Sequence, residues 1–113
     1  MMNQCELANQ SALEASEQAL ADEKSFALQA KALSHPARVR ILKILHTLDE
    51  LGGCLNNDLV SQLGLAQSTV SEHLRILKQA GFITAEAQPP KMCYQLNRDQ
   101  TEQFRQLFNA LFK

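Results

Sequence analysis

The stretch that most constrains the fold of this chain runs from residue 55 to residue 81, LNNDLVSQLGLAQSTVSEHLRILKQAG. It predicts two short helices joined by a tight turn, the first over about residues 57–63 and the second over about 67–80. Gly64 and Gly81 stand where each helix should end, because glycine adopts the left-handed conformation of a helix C-terminus at little steric cost. Apolar residues of the second helix recur at helical spacing and should share one buried face: Val70, Leu74 and Leu77.

The opposite face of the second predicted helix is polar at its start and basic toward its end. Its members are Gln67, Ser68, Ser71, Glu72, Arg75 and Lys78. Small polar side chains let a helix approach base edges closely, and hydroxyls, amides and cations are the groups that contact bases and phosphates. The pattern favours a helix-turn-helix whose second helix lies in a DNA major groove. An ordinary helical hairpin with a solvated face has the same spacing.

The residues after the second helix separate these two interpretations. A run typical of a β-strand begins at residues 82–84, residues 88–90 (Gln-Pro-Pro) interrupt it, and residues 91–96 form a second such run. A helix-turn-helix (55–81) followed directly by a β-hairpin (82–96) is a winged helix. The predicted fold is therefore mainly α with a small β-hairpin, a winged helix-turn-helix of five helices plus a two-stranded wing.

Three parts of the sequence resemble the ArsR/SmtB family of bacterial winged-helix repressors: ALSHPARVRILKIL, DLVSQLGLAQSTVSEHLRILKQAGFI and MCYQL. They lie within about residues 28–97, which is most of the chain. The resemblance implies a homodimeric transcription repressor that leaves its operator on binding a metal, a metalloid or another signal. The wing departs from the basic, glycine-containing turn that is frequent in the family, because Lys91 is the only base beside its two prolines.

The residues expected to contact DNA follow from the polar face together with this resemblance. The hydroxyls of Ser68, Thr69 and Ser71 match those of the family motif, and His73 matches its histidine. His73 fits a packed or capping histidine equally well. The predicted DNA-binding set is Gln67, Ser68, Thr69, Ser71, His73, Arg75, Lys78 and Lys91, with the two lysines on phosphates.

The ends of the chain are predicted to be helical. Residues 1–33 contain no Gly or Pro and predict one N-terminal helix or arm, and residues 99–113 predict a final helix with an apolar stripe. Pro36 begins a core helix that extends to about residue 48. The resemblance implies a dimer interface formed by Phe26, Ala30, Leu33, Phe104, Leu107, Phe108, Leu111 and Phe112. Packing of the final helix on its own domain is the alternative.

Length and charge set limits on the kind of protein. A chain of 113 residues is one domain, residues 1–113, that gains from extra burial in a dimer. Residues 1–33 have a net charge of −3 and residues 34–98 a net charge of +2, so the positive surplus lies on the predicted DNA-binding part. No bilayer-spanning run or leader pattern occurs, which predicts a cytoplasmic protein without a membrane partner.

No enzyme signature occurs in the sequence: a phosphate-binding glycine loop, paired carboxylates and a nucleophile–base arrangement are all missing. The chain is therefore predicted not to be an enzyme. Operator DNA and a second copy of the chain are the expected partners. A winged-helix module for protein–protein contact is the alternative, motivated by the weakly charged wing and the overall charge of −1.

The three thiols are Cys5, Cys54 and Cys93, and this odd number argues against a secreted disulfide scaffold. Thiolates bind soft ions. The resemblance places Cys54, joined by Cys5, where metalloid sensors of the family hold As(III) or another thiophilic metal ion, and Cys93 is a third candidate ligand. Two further interpretations fit the same residues, a Cys54–Cys93 redox pair and a set of three idle thiols.

Overall fold

The structure is a computed structural model that describes residues 1–55 and 59–113. Within these residues the chain forms six helices and one antiparallel β-hairpin, in the order of a winged helix-turn-helix. The elements are α1 (Gln4–Leu13), α2 (Glu17–Ala32), α3 (Pro36–Glu50), α4 (Leu59–Leu63), α5 (Gln67–Gln79), β1 (Ile83–Gln88), β2 (Lys91–Leu96) and α6 (Arg98–Leu111). The predicted helices of the helix-turn-helix are α4 and α5, and the first two predicted residues of α4, 57 and 58, lie outside the described residues.

The prediction of five helices was wrong by one, because residues 1–33 form two helices. Asn3 caps α1 in a capping box, where its Oδ1 accepts from the Glu6 amide at 2.8 Å and Glu6 Oε2 accepts from the Asn3 amide at 3.1 Å. Glu14 is extended, and Ser16 begins a new helix by accepting from the Ala19 amide at 3.0 Å. Local capping by serine therefore interrupts a composition that favours one continuous helix.

The core lies where α3, α5 and the start of the wing meet. Its most completely buried side chains are Ile41, Leu45, Leu77, Phe82 and Ile83. Ile41 and Leu45 are one helical turn apart, so they form a ridge that packs against the buried face of α5. Burial of large apolar side chains of this kind stabilises the folded state by roughly 1.5–3 kcal/mol each.

The hairpin is regular, and its loop consists of Pro89 and Pro90. Ile83 pairs with Leu96 at its base, and Gln88 pairs with Lys91 at its tip. Residues Gly81 and Phe82 at its base are also tied to α6, because the Asn97 side chain donates to the Gly81 carbonyl at 2.9 Å and the Asn97 amide donates to the Phe82 carbonyl at 2.8 Å. These two hydrogen bonds therefore fix the start of α6 to the base of the wing and to the residues that follow α5.

The last helix packs on α2 of the same chain. The Phe26 ring stacks on Phe104 with 4.9 Å between ring centroids, and it also contacts Phe108 and Phe112 at 5.8 and 6.3 Å. Phe108 and Phe112 nevertheless remain 49% and 68% exposed. Packing within the chain thus covers part of the aromatic stripe and leaves its C-terminal end open. Among the described residues, none of the helices has the length and apolarity that crossing a membrane requires.

Candidate nucleic-acid interface

The exposed face of α5 is polar, as predicted. Gln67, Ser68, Thr69, Ser71, Arg75 and Lys78 are all exposed, whereas Val70 and Leu77 are buried on the other side. Gly64 follows the last residue of α4 and has φ +66°, so it ends that helix before the chain turns into α5. Ala66 is the N-cap of α5 and supplies no side-chain hydrogen bond. Among the residues that the structure describes, no side chain caps the first-turn amides of α5, and a phosphate is an anion that such amides bind well.

The basic end of this face contains a network of side chains. Arg75 Nε donates to Glu72 Oε2 at 2.8 Å, a second guanidinium nitrogen pairs with Glu72 Oε1, and a third donates to Gln79 Oε1 at 2.8 Å. The hydrogen bonds from Arg75 lower the pKa of the Glu72 carboxyl, so Glu72 stays ionised. Glu72 was not in the predicted contact set. Its i, i+3 spacing from Arg75 was the sequence signal for this ion pair.

His73 does not lie on the exposed face. Its side chain is 6% exposed, its Nδ1 is 3.0 Å from a guanidinium nitrogen of Arg38 on α3, and its ring lies 4.4 Å from that of His35. A buried side chain packed against α3 has no access to a base edge, so His73 is removed from the DNA-contact set. Its position supports the packed alternative, in which it fixes α5 on the body of the protein.

The hydrogen bonds of the two histidines show which ring nitrogen of each accepts. His35 caps α3, because its Nδ1 accepts from the Ala37 amide at 3.0 Å. Arg38 can only donate, so His73 Nδ1 must accept, and the proton of a neutral His73 is on Nε2. Burial, followed by the neighbouring His35 and Arg38, lowers the pKa of His73. The link between α3 and α5 therefore requires a neutral His73.

Arg38 is a structural residue of this region that was not predicted from the sequence. Its Nε donates to the Ala32 carbonyl at 2.7 Å, and its remaining nitrogens reach His73 and, at 3.3 Å, the Ser34 hydroxyl. One guanidinium thus joins the end of α2, the start of α3 and the middle of α5. Its place one turn after His35, at the start of an apolar helix, was the only local signal.

The wing lies beside α5 and forms a cleft with it. Ser71, Arg75 and Lys78 of α5 line a cleft of about 230 Å³ together with Ala85, Met92 and Tyr94 of the hairpin. Lys91 is exposed at the hairpin tip, opposite Gln88. The structure therefore brings the predicted contact residues of α5 together and places Lys91 at the far end of the adjacent wing.

Two of the three thiols are joined. Cys54 and Cys93 form a disulfide with 5.8 Å between their Cα atoms, and Cys93 is buried. The adjacent residues Leu55 and Tyr94 form a β-bridge through two backbone hydrogen bonds of 2.9 and 3.0 Å. Cys5 is a free, exposed thiol on α1. Among the described residues, no group of three or more His, Cys, Asp or Glu side chains is placed to hold a metal ion.

Comparison with known sequences identifies the family. The family model described as bacterial regulatory protein, arsR family, matches residues 35–85. An HTH-type transcriptional regulator from Methanocaldococcus jannaschii, MJ1325, is 31% identical over 81 residues, which cover 72% of this chain and 88% of that protein. Rv0081 of Mycobacterium tuberculosis, also an HTH-type transcriptional regulator, is 39% identical over 66 residues, 58% of this chain. The chain aligns with just over half of the length of Rv0081, 55%.

Solved structures have the same fold. The crystal structure of Rv0081 superposes with a TM-score of 0.57 and 31% identity over 79% of this chain and 88% of that chain. The solution structure of Mb0332 from Mycobacterium bovis, described as a homodimeric winged helix-turn-helix DNA-binding domain, has a TM-score of 0.57 at 23% identity over 86% and 87% of the two chains. The winged helix-turn-helix fold and the family assignment are thus confirmed. The chain belongs to the ArsR family of bacterial regulatory proteins.

Proposed function

We propose that this protein is a cytoplasmic, homodimeric transcriptional repressor whose affinity for operator DNA is controlled by oxidation of Cys54 and Cys93. The observation that carries the proposal is the exposed polar face of α5 beside the wing, a surface shaped like the major-groove face of a helix-turn-helix. Val70 and Leu77 of α5 are buried, so the polar face on the opposite side is the one that α5 presents to solvent. It holds hydroxyls and an amide at its start and cations at its end.

Dimerisation is supported by the open end of the aromatic stripe. Phe108 and Phe112 remain largely exposed even though α2 covers Phe104, and exposed aromatic side chains on a terminal helix favour a partner surface. A two-fold pair would present two copies of α5 to neighbouring major grooves, which matches a palindromic operator. The solved Mb0332 domain, which has this fold, is described as homodimeric.

Thiol oxidation is favoured over metalloid binding by the position of the thiols. Cys54 and Cys93 are close enough to form a disulfide, whereas Cys5 lies outside that pair. Disulfides in the reducing cytoplasm are sensing or catalytic rather than structural. This disulfide connects the segment before α4 to a strand of the wing, beside the Leu55–Tyr94 bridge. Its formation would therefore fix the helix-turn-helix against the wing and restrict their adjustment to a groove.

A peroxide is the oxidant in the proposed thiol oxidation. The thiolate of Cys54, the less buried of the two, attacks a peroxide oxygen to give a sulfenic acid, and the leaving oxygen takes a proton and departs as water or an alcohol. The Cys93 thiolate then attacks the Cys54 sulfur and displaces hydroxide, which takes a proton and leaves as water. Two thiols are oxidised and one peroxide is reduced.

Fluorescence anisotropy tests DNA binding with two duplex probes. One probe is selected by the reduced protein from a random-sequence pool, and the other is a scrambled duplex of the same composition. Arg75→Ala should weaken binding to the selected duplex several-fold. Arg105→Ala is the matched control, because Arg105 forms the same i, i+3 ion pair with Glu102 on α6. A protein that is monomeric and indifferent to any duplex at low salt would contradict the proposal and favour a module for protein–protein contact.

The thiol mechanism is tested on the same selected duplex. Hydrogen peroxide should weaken binding by about 5- to 150-fold, the usual range for coupling between two sites. Cys54→Ser and Cys93→Ser should abolish this response, and Cys5→Ser should retain it. Release of the Cys54→Ser protein by peroxide would refute the thiol switch. Release by As(III) that needs Cys5 would show instead that a metalloid site controls the protein.

A further inference from the structure

We propose that Glu72 determines the DNA specificity of this protein, by holding Arg75 in an intramolecular ion pair that only a suitable base pair can replace. The inference rests on the proposed function, because it concerns how the α5 face discriminates between duplexes. Glu72 is acidic, whereas the other polar residues of the α5 face are neutral or basic.

The ion pair occupies the side chain best suited to read a base. Arg75 can donate two hydrogen bonds side by side to guanine, the commonest specific contact in the major groove. Here the same fork is engaged by both carboxylate oxygens of Glu72, and its remaining terminal nitrogen donates to Gln79. Arg75 and Glu72 are 51% and 53% exposed, so the pair lies at the surface and is open to exchange with a ligand.

Glu72 lies within the contact face and not at its edge. It is one turn after Ser68, next to Ser71 and one turn before Arg75, all of which are exposed. It is the only acidic residue of α5. A carboxylate at this position must enter the groove together with Arg75, where it meets the phosphate backbone unless it accepts a hydrogen bond from a base-edge donor.

The two ligands available to this pair have different consequences. A phosphate can replace Glu72 as the partner of Arg75, but it leaves the carboxylate ionised, without a donor and near other phosphates. A site that presents a guanine to Arg75 and the amino group of a cytosine to Glu72 satisfies both groups, because carboxylates accept from cytosine N4. Glu72 should therefore weaken binding to arbitrary DNA more than binding to a correct site.

Glu72→Gln tests this inference, since glutamine keeps the shape of the side chain and removes its charge. Anisotropy titrations with the selected and scrambled duplexes should show affinity for the scrambled duplex rising about tenfold and affinity for the selected duplex unchanged or lower. The dependence of log affinity on log salt should steepen by about one for the scrambled duplex, because the freed Arg75 neutralises one more phosphate.

Glu102→Gln is the matched control, because Glu102 binds Arg105 on α6 through the same pair of contacts away from the α5 face. The affinity of the Glu102→Gln protein for both duplexes should equal that of the wild type. An equal gain of the Glu72→Gln protein on both duplexes, or no change on either, would overturn the role in specificity. If the wild-type protein discriminates between the duplexes and Glu72→Gln retains the same ratio, only this inference fails. If the wild type binds neither duplex, the proposed function fails with it.

Discussion

The hydrogen bonds of Arg38 allow a quantitative prediction, in which Arg38→Met removes the guanidinium and keeps much of the aliphatic stem. Two contacts are well formed, at 2.7 Å to the Ala32 carbonyl and 3.0 Å to His73 Nδ1. Hydrogen bonds from a charged group contribute about 1.5–3 kcal/mol each. Arg38 is only half-buried, so solvent replaces part of this loss. We expect the free energy of unfolding to fall by roughly 2–4 kcal/mol, a large part of the 5–15 kcal/mol typical of a domain.

Urea titration followed by circular dichroism measures this loss directly. With a slope of about 2 kcal/mol per molar urea, the middle of the range for small proteins, the midpoint of unfolding should fall by about 1–2 M. Arg40→Met is the control, because Arg40 lies exposed on the same helix and its loss should change stability by less than about 0.5 kcal/mol. If both variants unfold at the same urea concentration, the hydrogen bonds of Arg38 do not stabilise the packing of α5 against α3.

Three further predictions follow from other contacts. The free energy of unfolding should decline as the pH falls from about 6.5 toward the lower pKa of His73 in the folded state, because the unfolded chain then binds a proton that the folded chain excludes. Urea titrations at several pH values measure this decline, and His73→Gln should reduce it. Phe26→Ala should lower the free energy of unfolding by about 2 kcal/mol, less than for a fully buried phenylalanine, and sedimentation velocity should show a weaker dimer. Gly64→Ala should cost about 1–2 kcal/mol in thermal unfolding, because alanine is strained at φ +66° although the space around it is open; an unchanged melting temperature would contradict this.

The helix-turn-helix and the wing could be predicted because their signals are local. The apolar spacing in α5, glycine at the ends of two helices and the prolines between two β-runs each depend on neighbours in sequence. The final helix was predicted over residues 99–113, and α6 begins one residue earlier, at Arg98, because the Asn97 side chain caps it by accepting from the Gln100 amide at 3.3 Å.

Contacts between distant segments had no such signal. His73 and Arg38 are 35 residues apart, so the burial of His73 depends on how α3 packs against α5 and could not be read from the motif. The Cys54–Cys93 pair was one of three interpretations of the thiols, because 39 residues separate them and only the tertiary fold brings them together. The dimer interface and the DNA contacts stay predictions.

The loop of the wing would limit how much DNA each protomer of the proposed dimer contacts. Proline has no amide hydrogen, so Pro89 and Pro90 offer no backbone donor to a phosphate at the tip of the hairpin. A wing of this kind adds little beyond the Lys91 charge. Footprints on DNA should therefore be short, with protection centred on two major-groove half-sites and little preference for the flanking sequence.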